Sequence, residues 1–360
     1  MPVYLGINSG TSADALDCVA MKWHNKAWHF IRQWEYPYPQ DLQRWIIDDA
    51  QNNHYSLGEY YALRRALHPW NLKAIQQAQQ TLKCPITAVG VHGQTLRHCP
   101  EHGYSTQCVD STRLAYESGV CIISDFRSSD IARNGQGAPL IPAFQAYLCQ
   151  SLSIRQAMWL NLGGIANITY INEDHVRGWD VGPTNALMDC WTQKHKKRPY
   201  DNKGQWAATG KVCSKLLDIM RSDAYFLRDP PKSSHRDYFN LTWILEKIGK
   251  SNYAPEDVQA TLLALNVEEI ASDIEKQGCA QGLLWLFGKG YRNEYFCEKL
   301  QQRLPQLTLQ STDKLGLPPE AVESGLFAWL AYCYDKRIAI DLRQVTGARQ
   351  PGVYGSKAYP

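Results

Sequence analysis

Apolar and polar positions alternate in short blocks along the N-terminal part of the chain. Residues 16–23 and 28–36 are rich in aromatic and aliphatic side chains, and the polar pair 25–26 separates them. This pattern is typical of two strands joined by a tight turn. An earlier apolar stretch ends at Ile7. We therefore predict three consecutive antiparallel strands, with a polar loop at residues 8–17 between the first two.

Further along the chain, the spacing of apolar residues separates helices from strands. Apolar residues recur at helical spacing over 41–83, 257–277 and 321–333, which predicts helices there. Asn185 is placed to cap a helix that runs through Trp191. Short apolar runs predict buried strands at 86–91, 120–124, 157–162, 178–181 and 282–287. Strands that alternate with helices indicate α/β architecture, with the loops gathered at one cleft.

Several of these strands end in loops of small or polar residues. The loops are Ser9-Gly10-Thr11-Ser12, His92-Gly93-Gln94-Thr95, Gly163-Gly164 and Asp180-Val181-Gly182-Pro183. Small residues allow backbone N–H groups and hydroxyls to surround an anion such as a phosphate. Each loop alone also fits an ordinary turn. Taken together, the loops favour a nucleotide phosphate site, with Asp14, Asp17 and Asp180 as carboxylates for Mg²⁺ or for proton abstraction.

The bulk composition excludes several classes of protein. With 360 residues and 44% hydrophobic content, the chain is large enough for two domains. Its formal net charge of +3 argues against a nucleic acid or an anionic membrane as partner. No run approaches the roughly 20 apolar residues of a membrane span, and the N-terminus lacks the features of a signal peptide. The 11 cysteines form no CxxC pair, so we expect free thiols and a cytoplasmic location.

Common nucleotide-binding and catalytic motifs are absent. The Walker pattern requires G-x4-G-K followed by Ser or Thr, and residues 204–211 and 282–289 both miss this spacing. The sequence contains neither a G-x-S-x-G elbow nor an HExxH motif. A nucleotide must therefore be held by other loops.

Longer stretches of the sequence identify a family. They are GINSGTSADALD, GVHGQTLRH, DFRSSDIARNGQGAPLIPAF, NLGGIANIT, WDVGPTNALMDCW, DPPKSSHRDYFN, DVQATLLAL, ESGLFAWLA and a terminal VTGA. In this order, and over nearly the whole chain, they resemble the anhydro-N-acetylmuramic acid kinase family. That family is a branch of the actin, hexokinase and Hsp70 superfamily.

The resemblance implies a reaction. ATP-dependent, hydrolytic opening of 1,6-anhydro-N-acetylmuramic acid is coupled to phosphorylation of O6, which gives N-acetylmuramic acid 6-phosphate and ADP in cell-wall recycling. The family is cytoplasmic, uses Mg-ATP and is typically dimeric. We therefore expect ATP, Mg²⁺, a sugar substrate and a second copy of the chain as partners.

The resemblance also implies a fold and a domain organisation. The fold is α/β, with two ribonuclease-H-like domains whose mixed five-stranded sheets are flanked by helices, and with the active-site cleft between them. By matching segments, the first domain is discontinuous and comprises residues 1–130 plus 342–360. The second domain comprises residues 131–341.

The resemblance further assigns residues to the site. Asp180 matches the base that activates water. The nucleotide is assigned to Ser9, Gly10, Thr11, Ser12, Asp14, Asp17, Gly163, Gly164 and Gly288, with Asp14 and Asp17 near the metal. The sugar is assigned to His92, Gln94, Thr95, Arg127, Asn185 and Glu323, with Arg127 as a partner for the lactyl carboxylate. A structural ion pair for Arg127 and a helix-start role for Glu323 are the alternatives.

The sequence departs from the family pattern at several glycines. Residues with a Cβ stand in their place at Ala15, Asn134, Thr184, Lys203 and Lys289. Where a glycine serves a positive φ, its replacement costs roughly 1 kcal/mol or more, although asparagine tolerates the left-handed region better than most residues. Two alternatives to the family reaction therefore stay open. One is a kinase for another sugar, and the other is a non-catalytic protein that retains the fold.

Overall fold

The structure is a computed structural model that describes residues 1–10, 13–24, 27–51, 56–173, 175–229, 232, 238–278 and 281–360, the side chains of residues 48–51 excepted. The described residues form two compact units. The first unit comprises Met1–Ile154 and Ala321–Pro360, and the second comprises Arg155–Glu320. The first unit thus runs past residue 130, the predicted boundary, and the chain returns to it before residue 342. The assignment of domains itself stays a prediction.

The first unit begins with three antiparallel strands and continues as strands that alternate with helices. Its strands up to Ile154 are β1 (Val3–Ser9), β2 (Ala15–His24), β3 (Ala27–Pro37), β4 (Ile86–Val91), β5 (Gln94–Cys99), β6 (Tyr104–Cys108) and β7 (Ile122–Ser124). Its helices there are α1 (Gln40–Gln51), α2 (Leu57–Thr81), α3 (Ser111–Ser118), α4 (Phe126–Ile131) and α5 (Ile141–Ser151). Every residue of β1 is buried, so this strand lies at the centre of the core.

The second unit follows a similar plan. Its strands are β8 (Gln156–Leu162), β9 (Ile165–Asn172), β10 (His175–Pro183), β11 (Gly282–Phe287) and β12 (Leu307–Ser311). Its helices are α6 (Asn185–Lys196), α7 (Ser214–Arg221), α8 (Leu241–Ile248), α9 (Pro255–Lys276) and α10 (Glu294–Arg303). The chain then returns to the first unit as α11 (Val322–Asp335), α12 (Arg343–Thr346) and β13 (Ser356–Ala358). Among the helices of the described residues, none is both long and apolar enough to span a bilayer.

The large sheets of the two units have their strands in corresponding order, while β5 and β6 form a separate two-stranded sheet. In the first unit the order is β3-β2-β1-β4-β7, and the two pairs before β4 are antiparallel whereas the two pairs that include β4 are parallel. In the second unit the order β10-β9-β8-β11-β12 has the same alternation of directions. These mixed sheets flanked by helices confirm the predicted fold class. The first sheet also has a sixth strand beyond the five predicted, because β13 pairs antiparallel with the open edge of β7.

Helix α11 packs directly on the central strands of the first sheet because two glycines leave room for its backbone. Gly6 on β1 and Gly90 on β4 are register partners. A Cβ on Gly6 would overlap the carbonyl oxygen of Ser324, and a Cβ on Gly90 would overlap that of Phe327. The backbone of the helix therefore lies against the sheet. Its first turn reaches Asn8, close to the C-terminal end of β1.

The first loop is shorter than the sequence predicts. Asn8 and Ser9 continue β1, and Asp17 belongs to β2, because Asn8 pairs with Asp17 and Ser9 pairs with Leu16. The antiparallel ladder therefore persists into the segment predicted as a loop, and the connection is reduced to residues 10–14. The polar pair predicted as the turn after β2 lies outside the described residues.

The predicted helical segment 41–83 is two helices, α1 and α2. Helix α2 begins at a capping box, in which the Glu59 N–H donates to the Ser56 Oγ at 3.2 Å and the Ser56 N–H donates to the Glu59 carboxylate at 2.8 Å. A capping box satisfies two of the N–H groups that a helix start leaves unpaired. This local chemistry fixes a new helix start inside the segment.

Pairing in the sheets and the start of α6 correct further predictions. Gln94 and Thr95, predicted as loop, begin β5, because they pair with β6 in a hairpin. Strand β9 is an addition to the prediction, and β10 extends beyond the predicted 178–181 because it pairs with β9 along its length. Helix α6 begins at Asn185, so the N-cap is Thr184, and the helix continues past the predicted end.

We expect Gly90→Ala to lower the free energy of unfolding by about 1–3 kcal/mol, because the new methyl group meets the backbone carbonyl of Phe327. Gly58→Ala is the matched control. A Cβ there lies 3.7 Å from the Ser56 Oγ, which is ordinary contact, and alanine favours a helix over glycine. Urea unfolding measures both variants against the parent chain. Equal stability of Gly90→Ala and the parent would contradict the close packing of helix and sheet.

Candidate functional site

One buried glutamine ties the end of β1 to β5. The Ser9 hydroxyl donates to the Gln94 Oε1 at 2.8 Å, and the Gln94 Nε2 donates to the Gly10 carbonyl at 3.3 Å. Ser9 and Gln94 are each only 3% exposed, so these contacts fix the start of the first loop. Thr11 and Ser12, which sequence reasoning assigns to ATP, lie outside the described residues.

Asp14 and Asp17 lie before and after the start of β2. Asp14 is exposed, and its Oδ1 accepts from the Gln43 Nε2 at 2.6 Å. Asp17 is half-buried and stands opposite Asn8 in the ladder. Among the described residues, no group of three or more Asp, Glu, His or Cys side chains forms a metal site. Mg²⁺ bound with a nucleotide needs only one or two protein carboxylates, so the two aspartates fit it in ligand type.

Arg127 lies in α4 and donates hydrogen bonds to two neutral acceptors, one of which is His92, the residue after β4. Its Nε donates to the His92 Nε2 at 3.0 Å, and its Nη1 donates to the Gly137 carbonyl at 2.9 Å. Burial and the positive charge of Arg127 hold the pKa of His92 well below its usual range, so the imidazole is neutral. Burial lowers the pKa of Arg127 to about 10, and the guanidinium remains charged at neutral pH. These two contacts are therefore not the structural ion pair considered as an alternative.

The loop beside Arg127 is held by Asp130, which sequence reasoning missed. Asp130 is fully buried. Its Oδ2 accepts from the Gly137 N–H at 2.7 Å, and its Oδ1 accepts from the Thr346 hydroxyl at 2.8 Å. Burial raises the pKa of this carboxyl. The terminal VTGA segment thus supports the loop through Thr346. In the sequence, Asp130 and Thr346 were marked only by their place in stretches shared with the family.

Two further sugar candidates lie in α11 and β5. Glu323 is half-buried in the first turn of α11, and its Oε2 lies 3.5 Å from the Asn8 Nδ2. Its negative charge raises the pKa of Arg127 against the effect of burial. Thr95 accepts from the Gln107 Nε2 at 3.3 Å. The first unit therefore brings Arg127 close enough to Glu323 for their charges to interact.

In the second unit, the Gly163-Gly164 turn joins β8 to β9 and receives the start of α6. The Thr184 hydroxyl donates to the Gly163 carbonyl at 2.6 Å, and the Thr184 N–H donates to the Gly164 carbonyl at 2.9 Å. The Asn185 Nδ2 donates to the Leu162 carbonyl at 3.1 Å. The turn and the helix start are thus bonded to each other, and Asn185 contributes to that bond network.

Asp180 lies in β10 at a bulge. It pairs with Asn167 of β9, whereas Gly182 pairs with the adjacent Ala166, so that Val181 is the extra residue. Bulges redirect side chains and are frequent near active sites. Asp180 is half-buried, while Val181 is fully buried. The strand therefore carries this carboxylate a few residues before α6, whose start is bonded to the Gly163-Gly164 turn.

The backbone of Asp180 is held by two residues that sequence reasoning missed. The Asp180 N–H donates to the Lys232 carbonyl at 3.0 Å, and the Asp180 carbonyl accepts from the Tyr225 hydroxyl at 3.0 Å. Lys232 belongs to the stretch DPPKSSHRDYFN, which was the signal available for it. No sequence pattern pointed to Tyr225, because it is a single tyrosine outside the stretches shared with the family.

Gly288 lies against the end of β8. Its φ is +87°, and a Cβ there would overlap the Asn161 Oδ1. A Cβ on Gly290 would come within contact of the Leu162 carbonyl. Glycine is thus required at both positions, and Lys289 between them is half-buried at the start of a 3-10 turn. The second unit therefore brings Gly288 next to the residues that precede the Gly163-Gly164 turn.

Two of the residues that stand in place of family glycines have the positive φ that favours glycine. The value of φ is +65° at Asn134 and +57° at Lys203, and this region costs an L-residue roughly 1–2 kcal/mol. Thr184 has a φ of −128°, and Ala15 and Lys289 are not among the described residues with positive φ. The strain predicted from the lost glycines is therefore confined to Asn134 and Lys203.

Comparison with known proteins identifies relatives over nearly the whole chain. The family model described as anhydro-N-acetylmuramic acid kinase matches residues 2–360. The chain is 38% identical to the anhydro-N-acetylmuramic acid kinase of Nitrosomonas europaea over 363 residues, which covers 99% of each chain. It is 37% identical to that of Pseudomonas syringae pv. tomato, again over 99% of each. For the enzyme of Legionella pneumophila the identity is 35%, over 100% of this chain and 99% of the relative.

These matches first define a class. The chain is an α/β enzyme of the phosphotransferase class, a kinase. Within that class it belongs to the anhydro-N-acetylmuramic acid kinase family, because the family model and the relatives extend over nearly its whole length.

We expect the buried His92 to make the protein less stable in mild acid. The pKa of an unfolded histidine is about 6.5, and that of folded His92 lies well below it. As the pH falls below about 6.5, the unfolded chain binds a proton that the folded chain does not, so the free energy of unfolding falls. His92→Gln keeps an acceptor for Arg127 and removes the titration. Its free energy of unfolding should fall less on acidification, by up to about 1.4 kcal/mol per pH unit.

Urea unfolding at about pH 7 and about pH 5 measures this difference. His175, at the exposed start of β10, provides the matched control His175→Gln, which should retain the loss of stability in acid. Parallel pH dependences for the parent chain and His92→Gln would contradict a neutral, buried imidazole.

Proposed function

We propose that the protein opens the anhydro bridge of 1,6-anhydro-N-acetylmuramic acid with water and transfers the γ-phosphoryl group of ATP to O6. The products are N-acetylmuramic acid 6-phosphate and ADP. The observation that carries the proposal is the carboxylate of Asp180, which lies at a bulge in β10 with both backbone polar groups bonded. A protein that only binds a nucleotide has no need of a base in that position. Membership of the family supports the same reaction.

The reaction requires a base for water and an acceptor for the departing oxygen. Asp180 takes a proton as water attacks C1, and the bond between C1 and O6 breaks. O6 then forms a bond to the γ-phosphorus, whose bond to the β,γ-bridging oxygen breaks to release ADP. A glycosidase would protonate the leaving oxygen with a second carboxylic acid. Here the phosphoryl group takes up that oxygen, so one carboxylate is enough, and Asp180 returns its proton to solvent.

The small-residue loops of each unit are proposed to bind ATP. Gln94 fixes the side chain of Ser9 and the carbonyl of Gly10, which sets the loop for backbone N–H groups to meet phosphate oxygens. Asp14 and Asp17 would hold the Mg²⁺ of Mg-ATP, which, when bound, neutralises phosphate charge. The full set proposed for the nucleotide is Ser9, Gly10, Thr11, Ser12, Asp14, Asp17, Gly163, Gly164 and Gly288.

The charged guanidinium of Arg127 is proposed to bind the lactyl carboxylate of the sugar. Two neutral acceptors orient it, and a guanidinium forms strong charge-assisted hydrogen bonds with a carboxylate. His92 acts by positioning Arg127, since its Nε2 is the acceptor of that contact. The remaining residues proposed for the sugar site are Gln94, Thr95, Asn185 and Glu323.

The setting of the reaction is proposed on the basis of the family. The protein acts in the cytoplasm, in the recycling of cell-wall sugars, and is a homodimer. Its partners are the sugar and ATP, with no nucleic acid and no membrane.

We expect Asp180→Asn to lower kcat for product formation by about 100- to 10,000-fold, because the base is lost while the shape is kept. Binding of ATP, measured by calorimetry, should be unchanged. Asp218→Asn is the matched control, since Asp218 is an exposed carboxylate on α7 of the same unit, and its kcat should equal that of the parent. The measurement is mass spectrometry of the sugar phosphate formed with Mg-ATP. Parent-level turnover in Asp180→Asn would exclude Asp180 as the base.

A further inference from the structure

Lys232 and Asp273 form a buried ion pair that is bonded to Trp179 of β10. The Lys232 Nζ is 2.9 Å from the Asp273 Oδ2, and each side chain is only 2% exposed. The Trp179 Nε1 donates to the same carboxylate oxygen at 3.2 Å. The Lys232 Nζ also lies 5.6 Å from the centroid of the Tyr225 ring. We call these four residues, Trp179, Tyr225, Lys232 and Asp273, the Asp273 cluster.

Three residues of the Asp273 cluster are connected directly to Asp180, one along the chain and two by hydrogen bonds. Trp179 precedes Asp180 in β10, so its indole anchors the strand to α9 through Asp273. The carbonyl of Lys232 accepts the Asp180 N–H at 3.0 Å. The hydroxyl of Tyr225 donates to the Asp180 carbonyl at 3.0 Å. Both backbone polar groups of Asp180 are thus bonded to residues that themselves contact one another.

Strand β10 needs such support because of its place in the sheet. Among the strands of the described residues, it pairs with β9 alone, and its ladder is interrupted by the bulge at Val181. An edge strand has a row of backbone groups without a strand partner, and a bulge leaves one residue unpaired. At Asp180, the Asp273 cluster bonds both the backbone N–H and the backbone carbonyl.

Stability alone is a weak reason for this ion pair. Removing two charges from water is costly, and apolar residues of similar volume often stabilise a core as well or better. Directional contacts instead fix one geometry for the groups that they join. Catalysis by a positioned base is sensitive to that geometry, since a misplacement of about 1 Å can cost about 100-fold in rate.

We propose that the Asp273 cluster positions Asp180 for proton abstraction. The inference rests on the proposed function of Asp180. Tyr225, Lys232, Trp179 and Asp273 are positioning residues, which act through the backbone of Asp180 and do not meet the substrate.

Tyr225→Phe is the sharpest variant, because it removes only the hydroxyl that binds the Asp180 carbonyl. We expect kcat to fall about 10-fold, as for the loss of about one hydrogen bond, with KM for the sugar and the stoichiometry of ATP binding unchanged. Tyr238→Phe is the matched control. Its hydroxyl donates to the Asp223 carboxylate at 2.7 Å instead of to the Asp180 carbonyl, so kcat should equal that of the parent.

Asp273→Asn tests the ion pair. We expect kcat to fall about 100-fold, whereas Arg303→Met, which breaks the Arg303–Glu275 pair between α10 and α9, should keep the kcat of the parent. Circular dichroism and the stoichiometry of ATP binding establish that each variant is folded. If Asp273→Asn does not fold, Trp179→Phe removes one hydrogen bond to the same carboxylate and takes its place, with a loss of about 10-fold expected.

A double-mutant cycle separates positioning from a general structural effect. If Tyr225 acts through Asp180, Tyr225→Phe lowers kcat in the parent but has no further effect on the residual activity of Asp180→Asn. The same fold-loss in both backgrounds would overturn the inference, as would parent-level kcat in both Tyr225→Phe and Asp273→Asn. If the parent itself forms no product, or Asp180→Asn is fully active, the proposed function fails first and the inference fails with it.

Discussion

The candidate site of the first unit depends on how closely α11 approaches the sheet. Gly6 and Gly90 are paired across β1 and β4, and neither presents a side chain to the helix, so backbone meets backbone. This contact brings the Phe327 ring to 4.6 Å from the His92 ring, measured between centroids. The same approach brings the first turn of α11, with its carboxylate, to the C-terminal end of β1. This packing also helps to orient Arg127, because its acceptor His92 is covered by Phe327 of α11.

The second unit meets a different demand, which is to hold a carboxylate on an edge strand. In the part of the chain that the structure describes, β10 has β9 as its one strand neighbour, and the bulge beside Asp180 interrupts that pairing. On its other side, the Asp180 N–H donates to the Lys232 carbonyl, and the Tyr225 hydroxyl donates to the Asp180 carbonyl. At the start of α6, the Thr184 hydroxyl donates to the Gly163 carbonyl in the turn between β8 and β9. Thr184 stands in place of a family glycine, and it supports this turn instead of straining it.

Much of the fold was predictable because continuous apolar runs specify buried strands. Strands β4 and β11 have the predicted bounds, since each apolar run stops at a polar or glycine residue. Strain at Asn134 and Lys203 was also predictable, from glycines that the family has and this chain lacks. Pairing was not predictable from local pattern, which is why Asn8 and Asp17 were placed in a loop instead of a ladder. The ion pair between Lys232 and Asp273 joins residues that are 41 apart in sequence, and no local pattern marks a charge as buried.

The central claim is that water enters at C1 while O6 of the same sugar receives the phosphoryl group. A single turnover with Mg-ATP and the anhydro sugar in ¹⁸O-labelled water, quenched rapidly and read by tandem mass spectrometry, tests it most directly. The account predicts a product heavier than the substrate by one water and one phosphoryl group, with ¹⁸O on C1 and none in the phosphate. A phosphorylated sugar whose anhydro ring is intact, or label found only in inorganic phosphate, would contradict it.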